Sequence, residues 1–229
     1  MNKTIVIIGA STGIGKAIVE EAAKDPGNKI FAFARKHEIM ASNFKKMHNV
    51  SAAFLDLEQW NKDQFLEILK DISHIDILIN NAGFLVKNDF EKLSHEDFLK
   101  SYQINVIGIM QVVQACIPKM NSAPSHIVNI SSMGGFQGSV KFPGLTAYST
   151  SKAALCSFTE LFAEEYKDSS IQMNCLCLGA VQTEMLEAAF PGFTAPHSAA
   201  KMAAYIHDFA QNQGEFMNGK IIPVSLSTP

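Results

Sequence analysis

The chain has 229 residues, 47% of them hydrophobic and 18% charged, which excludes a disordered, fibrous or collagen-like polypeptide. At that length one fold can remove roughly 70% of its unfolded surface from water, so a single domain with a large core is expected. Lys and Arg number 19 against 22 Asp and Glu, a net charge of −3 without any block of like charge, so the basic field of a nucleic-acid binder is missing.

In chain order, short β-branched or apolar runs alternate with longer amphipathic stretches. Strands are predicted at residues 4–9, 29–34, 50–55, 75–80, 126–131, 170–178 and 220–224. Helices are predicted at residues 13–24, 38–46, 61–71, 94–120, 147–167 and 196–212. Runs such as Ile5-Val6-Ile7-Ile8 are continuously apolar, as expected of strands covered by helices on both faces. Strand–helix repetition without hairpin signals implies crossover connections and a doubly wound parallel sheet. No repeat or linker marks a second unit, so residues 1–229 are read as one α/β domain. The apolar run at Ile5 to Ile8 is too short for a signal-peptide core or a membrane span, which points to a cytoplasmic chain with no membrane partner.

Cys116, Cys156, Cys175 and Cys177 contain no CxxC pair, so neither a disulfide framework nor a zinc site is predicted. Cys175 and Cys177, two apart on a strand, share one face and read as buried reduced thiols. The histidines fall in no ligand spacing, and no metal is expected.

The first strand runs into Gly9-Ala10-Ser11-Thr12-Gly13-Ile14-Gly15, and a helix follows. Glycines let the backbone approach a ligand closely, and a helix N-terminus offers free N–H groups to a pyrophosphate. The same residues fit the G-x-S-x-G elbow of hydrolases, with Ser11 as nucleophile and His207 as nominal base. That elbow normally follows several earlier strands, and no HGGG-type motif accompanies it here. A P-loop ending at Gly15-Lys16 fails at Ala10 and Ala17, and a tight turn without a ligand stays open. After the second strand comes Arg35, whose planar fork suits a 2′-phosphate, while no carboxylate appears before Glu38. This favours NADP(H), with NAD(H) left open.

Farther along stand Asn81-Ala82-Gly83 after the fourth strand, Asn105 inside a long helix, and Ser131-Ser132 after the fifth strand. Tyr148 and Lys152 follow, four apart and so on one helix face. A lysine ammonium near a phenol favours phenolate, which tunes a tyrosine toward acid–base work on a carbonyl oxygen. A nearby serine hydroxyl can hold that oxygen.

These residues together make the chain resemble the short-chain dehydrogenase/reductase family, over about residues 4 to 224. The resemblance implies a three-layer Rossmann-type sandwich with a seven-stranded parallel sheet. It implies Tyr148 as the acid/base, with Lys152 binding the nicotinamide ribose and lowering the tyrosine pKa. It also implies Ser132 as the carbonyl-orienting hydroxyl, matching the second serine of the family's pair, and Asn105 in a water-linked proton relay. Asp56 and Leu57 are assigned to the adenine, and Asn81, Ala82 and Gly83 to the adenosine side. Gly179, Val181 and Thr183 are assigned to the nicotinamide.

Four departures stand out. The stretch from Ser132 to Tyr148 is longer than usual, through Gln137-Gly138-Ser139-Val140-Lys141; Leu178 replaces a proline; and Thr12 stands where NADP-preferring members often carry a basic residue. The region after Thr183 is short, giving a small substrate loop at about residues 184–196. Met133, Phe136, Phe142, Met185, Leu186, Phe190 and Phe193 are expected near an apolar carbonyl or alcohol substrate. The helices at 94–120 and 147–167 resemble those that pair subunits in the family, implying a homodimer or homotetramer. A catalytically silent NADP-binding regulator on the same fold is the alternative to an enzyme.

Overall fold

The computed structural model describes residues 2–226. Its strands are β1 (Thr4–Ile8), β2 (Lys29–Ala34), β3 (Val50–Phe54), β4 (Ile77–Asn80), β5 (Ser125–Ser132), β6 (Ile171–Leu178), β7 (Val181–Gln182), β8 (His197–Ser198) and β9 (Ile221–Val224). Its α-helices are α1 (Gly13–Ala22), α2 (His37–Asn43), α3 (Lys62–Ile68), α4 (His95–Tyr102), α5 (Gly108–Cys116), α6 (Thr146–Glu165), α7 (Glu184–Ala189) and α8 (Ala199–Asn212). Seven strands form one sheet in the order β3-β2-β1-β4-β5-β6-β9, and every neighbouring pair is parallel.

The unbroken apolar strands follow from this layering. In β1, Ile5 and Ile7 enter the core shared with α1, α2 and α8, while Val6 and Ile8 enter the core shared with α3, α5 and α6. β2 repeats the alternation, with Ile30, Ala32 and Ala34 on one side and Phe31 and Phe33 on the other. Each Val, Ile or Phe of these, fully withdrawn from water, contributes about 1.5–3 kcal/mol. Pro223, which lacks a ladder N–H, sits on the edge strand β9, where that absence is tolerated.

Order reverses between β1 and β4, which opens a crevice beyond their carboxyl ends. Polar side chains enter the sheet there. Asn80 Nδ2 donates to Asn129 Oδ1 at 2.8 Å, and Asn129 Nδ2 donates to Thr159 Oγ1 at 2.9 Å, tying β4, β5 and α6 together.

Two expectations are corrected. The helix predicted over 94–120 is α4, a π-helical turn at Gln103–Ile107, then α5, with Pro118 in a closing 3-10 turn. The apolar spacing continues through the wide turn, so periodicity alone does not reveal it. The loop at 184–196 contains α7 and is pinned where β7 pairs with β8. Ala195 N also donates to Gln182 Oε1 at 2.8 Å. Two-residue strands carry no period for a sequence reading to detect.

Candidate active site

The glycine loop is shaped by close backbone approach. Gly9 has φ of 86°, and a Cβ there would lie 2.5 Å from Ala82 Cα. A Cβ on Gly15 would lie 2.0 Å from the Gly9 carbonyl oxygen. Asn81 Nδ2 donates to that same oxygen at 2.9 Å, fastening the end of β4 to the loop. Thr12, at the N-cap of α1, is extended and gives the helix no side-chain cap, and the first turn holds no acidic residue. The leading N–H groups and the positive end of the helix dipole are therefore left to a ligand, as a pyrophosphate requires.

This loop borders a cleft of about 1110 Å³. Every catalytic and cofactor residue predicted from the sequence lines it except Gly15 and Asn105. At the end of the cleft beyond β2, Arg35 Nη1 is 3.9 Å from Glu58 Oε2, and Lys100 Nζ is 3.0 Å from the same oxygen. Asp56 spends one carboxylate oxygen on Glu58 N at 2.9 Å, and the Leu57 carbonyl accepts from Gln103 Nε2 at 2.9 Å. Val181 and Gly179 border the opposite side, where Gly179 N donates to the Val224 carbonyl at 2.9 Å. Thr183 Oγ1 caps α7 by accepting from Leu186 N at 3.2 Å.

On the cleft floor, Tyr148 and Lys152 stand one turn apart on α6. The Ser132 hydroxyl stands near enough to the Tyr148 hydroxyl to draw the phenol's pKa down, and accepts from Gly134 N at 3.2 Å. Ser131 is turned the other way, its Oγ donating to the Lys152 carbonyl at 2.9 Å, so Ser132 is the serine presented to the phenol. Lys152 Nζ donates to the Ile130 carbonyl at 2.8 Å, and burial lowers its pKa from 10.5 to about 8. The expected tuning of Tyr148 is corrected in part. Burial pushes the phenol up and the Ser132 hydroxyl pulls it down, while the ammonium stands 6.0 Å from the ring centroid, committed to Ile130.

Asn105 is fully buried in the π-helical turn. Its Oδ1 accepts from Phe84 N at 2.7 Å, and its Nδ2 donates to the Phe84 carbonyl and to Ser151 Oγ, both at 2.9 Å. It clamps the Gly83–Phe84 backbone to α6. The hydrolase pair is not assembled. His207 bonds Gln211 on α8 and has Glu21, Lys24 and Asp25 as charged neighbours, at the end of α1 remote from Ser11, about 15 Å along the helix.

The substrate end is apolar. Lys141 Nζ donates to the Gly134 carbonyl at 3.1 Å, the Phe136 carbonyl at 2.6 Å and Ser139 Oγ at 2.8 Å, folding the long 132–148 segment onto itself. Phe142 then faces the cleft, as do Met133, Met185, Leu186, Phe190 and Phe193. Phe136 does not; it packs instead beside Cys156, Cys175 and Cys177. Leu85 and Leu145 are walls that no sequence signal marked. Lys87 Nζ donates to the Ala189 carbonyl at 2.9 Å and stands 4.0 Å over the Phe190 ring, holding α7 across the opening.

An uncapped helix aimed into the crevice of a doubly wound sheet is a dinucleotide-binding arrangement. Comparison with known proteins narrows this. The model of the short chain dehydrogenase family matches residues 3–192. The 3-oxoacyl-[acyl-carrier-protein] reductase FabG of Aquifex aeolicus is 35% identical over 191 residues, covering 80% of this chain and 75% of that protein. Oxidoreductase UcpA of Salmonella typhimurium is 35% identical over 190 residues, covering 81% and 72%. A solved structure of ElxO with NADP bound superposes with a TM-score of 0.83 at 26% identity, covering 98% of this chain and 97% of that one.

The chain belongs to the short-chain dehydrogenase/reductase family. It is an NAD(P)-dependent oxidoreductase acting on a small molecule. Among the described residues no helix is long and apolar enough to cross a membrane.

Proposed function

We propose that the protein is an NADP(H)-preferring carbonyl reductase for lipophilic aldehydes or ketones. The observation that carries this reading is that Ser132, Tyr148 and Lys152 line one largely apolar cleft, with Ser132 close enough to the phenol to lower its pKa. Two hydroxyls meeting there form a site for one carbonyl oxygen: Ser132 orients it, and Tyr148 gives it a proton. The buried phenol remains protonated in the free protein, the state a general acid needs. When bound, the nicotinamide supplies the hydride. Lys152 holds the ribose side of the cleft and returns positive charge beneath the phenol as the proton leaves. Asn105 keeps Phe84 and α6 in register, so that the backbone around it can hold the proposed water-linked relay. Gly9, Ser11, Thr12, Gly13, Ile14 and Gly15 shape or line the pyrophosphate turn. Asp56, Leu57, Asn81, Ala82 and Gly83 take the adenosine, and Gly179, Val181 and Thr183 take the nicotinamide.

The NADP preference is supported by Arg35 and Lys36, both lining the cleft at the end of β2. It is also in keeping with the NADP of the ElxO structure. Initial rates of NADPH and NADH oxidation over a panel of lipophilic aldehydes and ketones test the proposal. Arg35→Ala should raise KM for NADPH about tenfold, as loss of a charge-assisted hydrogen bond does, and leave KM for NADH unchanged. Equal effects on both cofactors would remove the preference. Tight NADPH binding without turnover on any carbonyl would leave the silent regulator instead.

We further propose a homodimer or homotetramer working in the cytoplasm. Leu99 and Leu161, on α4 and α6, are 56% and 68% exposed, a large apolar exposure for helices of one subunit. All four cysteines are free, as in a reducing compartment. Sedimentation equilibrium should return a multiple of 25.0 kDa; a monomer at micromolar concentration overturns the assembly.

A further inference from the structure

Beneath α6, apart from the two large cores, lies a small buried cluster in which every member carries sulfur: Met133, Cys156, Cys175 and Cys177. Cys156 sits one turn beyond Lys152 on α6, and Cys175 and Cys177 share a face of β6. Cys156 Sγ is 3.9 Å from Cys175 Sγ and 3.6 Å from Cys177 Sγ, and all three sulfurs lie within 4.8 Å of one another. Among the described residues no other trio of His, Cys, Asp or Glu converges in this way.

We propose that Cys156, Cys175 and Cys177 form a three-thiolate site for a soft d10 cation, with monovalent copper the ion it fits best. Three sulfurs about 2.3 Å from a central ion, in a trigonal arrangement, lie about 4 Å apart, so the observed spacing admits the ion with little backbone movement. The donor set is soft throughout, with the Met133 thioether in the same cluster. Zinc in a structural site seeks four ligands, and among the described residues only three His, Cys, Asp or Glu ligand atoms converge here. Hard cations seek oxygens that are missing here. The Lys152 ammonium is near enough to act electrostatically on all three sulfurs and offsets thiolate charge in the interior.

Binding breaks S–H bonds and forms Cu–S bonds. The protons pass to solvent, and copper stays monovalent throughout. Sequence spacing does not reveal the cluster, because its third thiol comes from a helix 19 residues before Cys175. The inference does not depend on the carbonyl-reductase reading.

The test is anaerobic titration of the reduced full chain with Cu(I) against a chromophoric Cu(I) chelator. One copper per chain should be retained, with a near-ultraviolet thiolate-to-copper band and a raised Tm. Cys156→Ser and Cys177→Ala should each weaken retention at least about tenfold, as loss of a ligand requires, whereas Cys116→Ser should bind as the wild type. X-ray absorption at the copper edge of the wild type, which needs no variant to fold, should show a sulfur-only shell near about 2.3 Å. No retained copper, equal retention by Cys156→Ser, or a nitrogen–oxygen shell would overturn the site. Preferential retention of Zn(II) would overturn the choice of copper.

Discussion

Tyr148→Phe is expected to lower kcat about 10³-fold, within the range by which one positioned proton donor accelerates a reaction. NADPH affinity should be almost unchanged. The substitution removes one oxygen and keeps the ring, so the packing of α6 against the cleft floor persists. The lost hydroxyl removes the proton donor beside Ser132, leaving one hydroxyl where the proposed carbonyl site has two. The glycine loop and Arg35, proposed to hold the pyrophosphate and 2′-phosphate, lie on other elements and keep their side chains. NADPH fluorescence titration beside steady-state rates separates the two effects. Wild-type turnover in this variant would remove Tyr148 from the chemistry.

The second large effect has opposite signs for stability and activity. Lys152 is only 3% exposed, and burial depresses it from 10.5 to about 8, so at pH 7 folding holds an ammonium where its charged form is disfavoured. That depression corresponds to about 3 kcal/mol of lost stability. Lys152→Met keeps the stem and abolishes the charge, but leaves the Ile130 carbonyl without its donor, which returns about 1 kcal/mol.

The variant is therefore expected to be about 2 kcal/mol more stable at pH 7, with Tm higher by about 4–8 °C. Its turnover should fall at least about 100-fold. The sign with pH follows from the lowered value. Between pH 8 and 10.5 the unfolded chain binds more protons than the folded one at this position, so wild-type stability rises through that window and the gap between the two proteins closes. Calorimetric melts at pH 7 and pH 10 read both statements. A variant less stable than wild type at pH 7 would show that the ammonium is compensated by partners other than Ile130.

The active-site features legible in the sequence are those held within one element or one turn. Tyr148 and Lys152 share a helix face because four residues make about one turn, and that holds wherever α6 docks. The Gly9 to Gly15 loop was legible because close approach to Ala82 and Asn81 leaves no room for a Cβ. Ser132 over Ser131 was legible only by resemblance, since consecutive residues on β5 point to opposite faces and either could have met the phenol. The paths of the long insert and of Phe136 were not legible. Lys141 decides them through three hydrogen bonds to residues whose positions depend on the insert itself.

The sequence by itself determined a parallel sheet covered on both faces, a glycine-rich turn after the first strand, and a tyrosine–lysine pair on one helix. Periodicity and glycine placement are local, and the backbone geometry that reads them is the same in every fold. Tertiary structure alone decided that Asn105 would clamp Phe84 from within a widened helical turn. It also tied Lys152 to the Ile130 carbonyl with its ammonium 6.0 Å from the phenol ring, and gathered three cysteines from α6 and β6 within reach of one ion. Each of these joins residues from separate elements, and their separation is set by how side chains fill the space between helix and sheet.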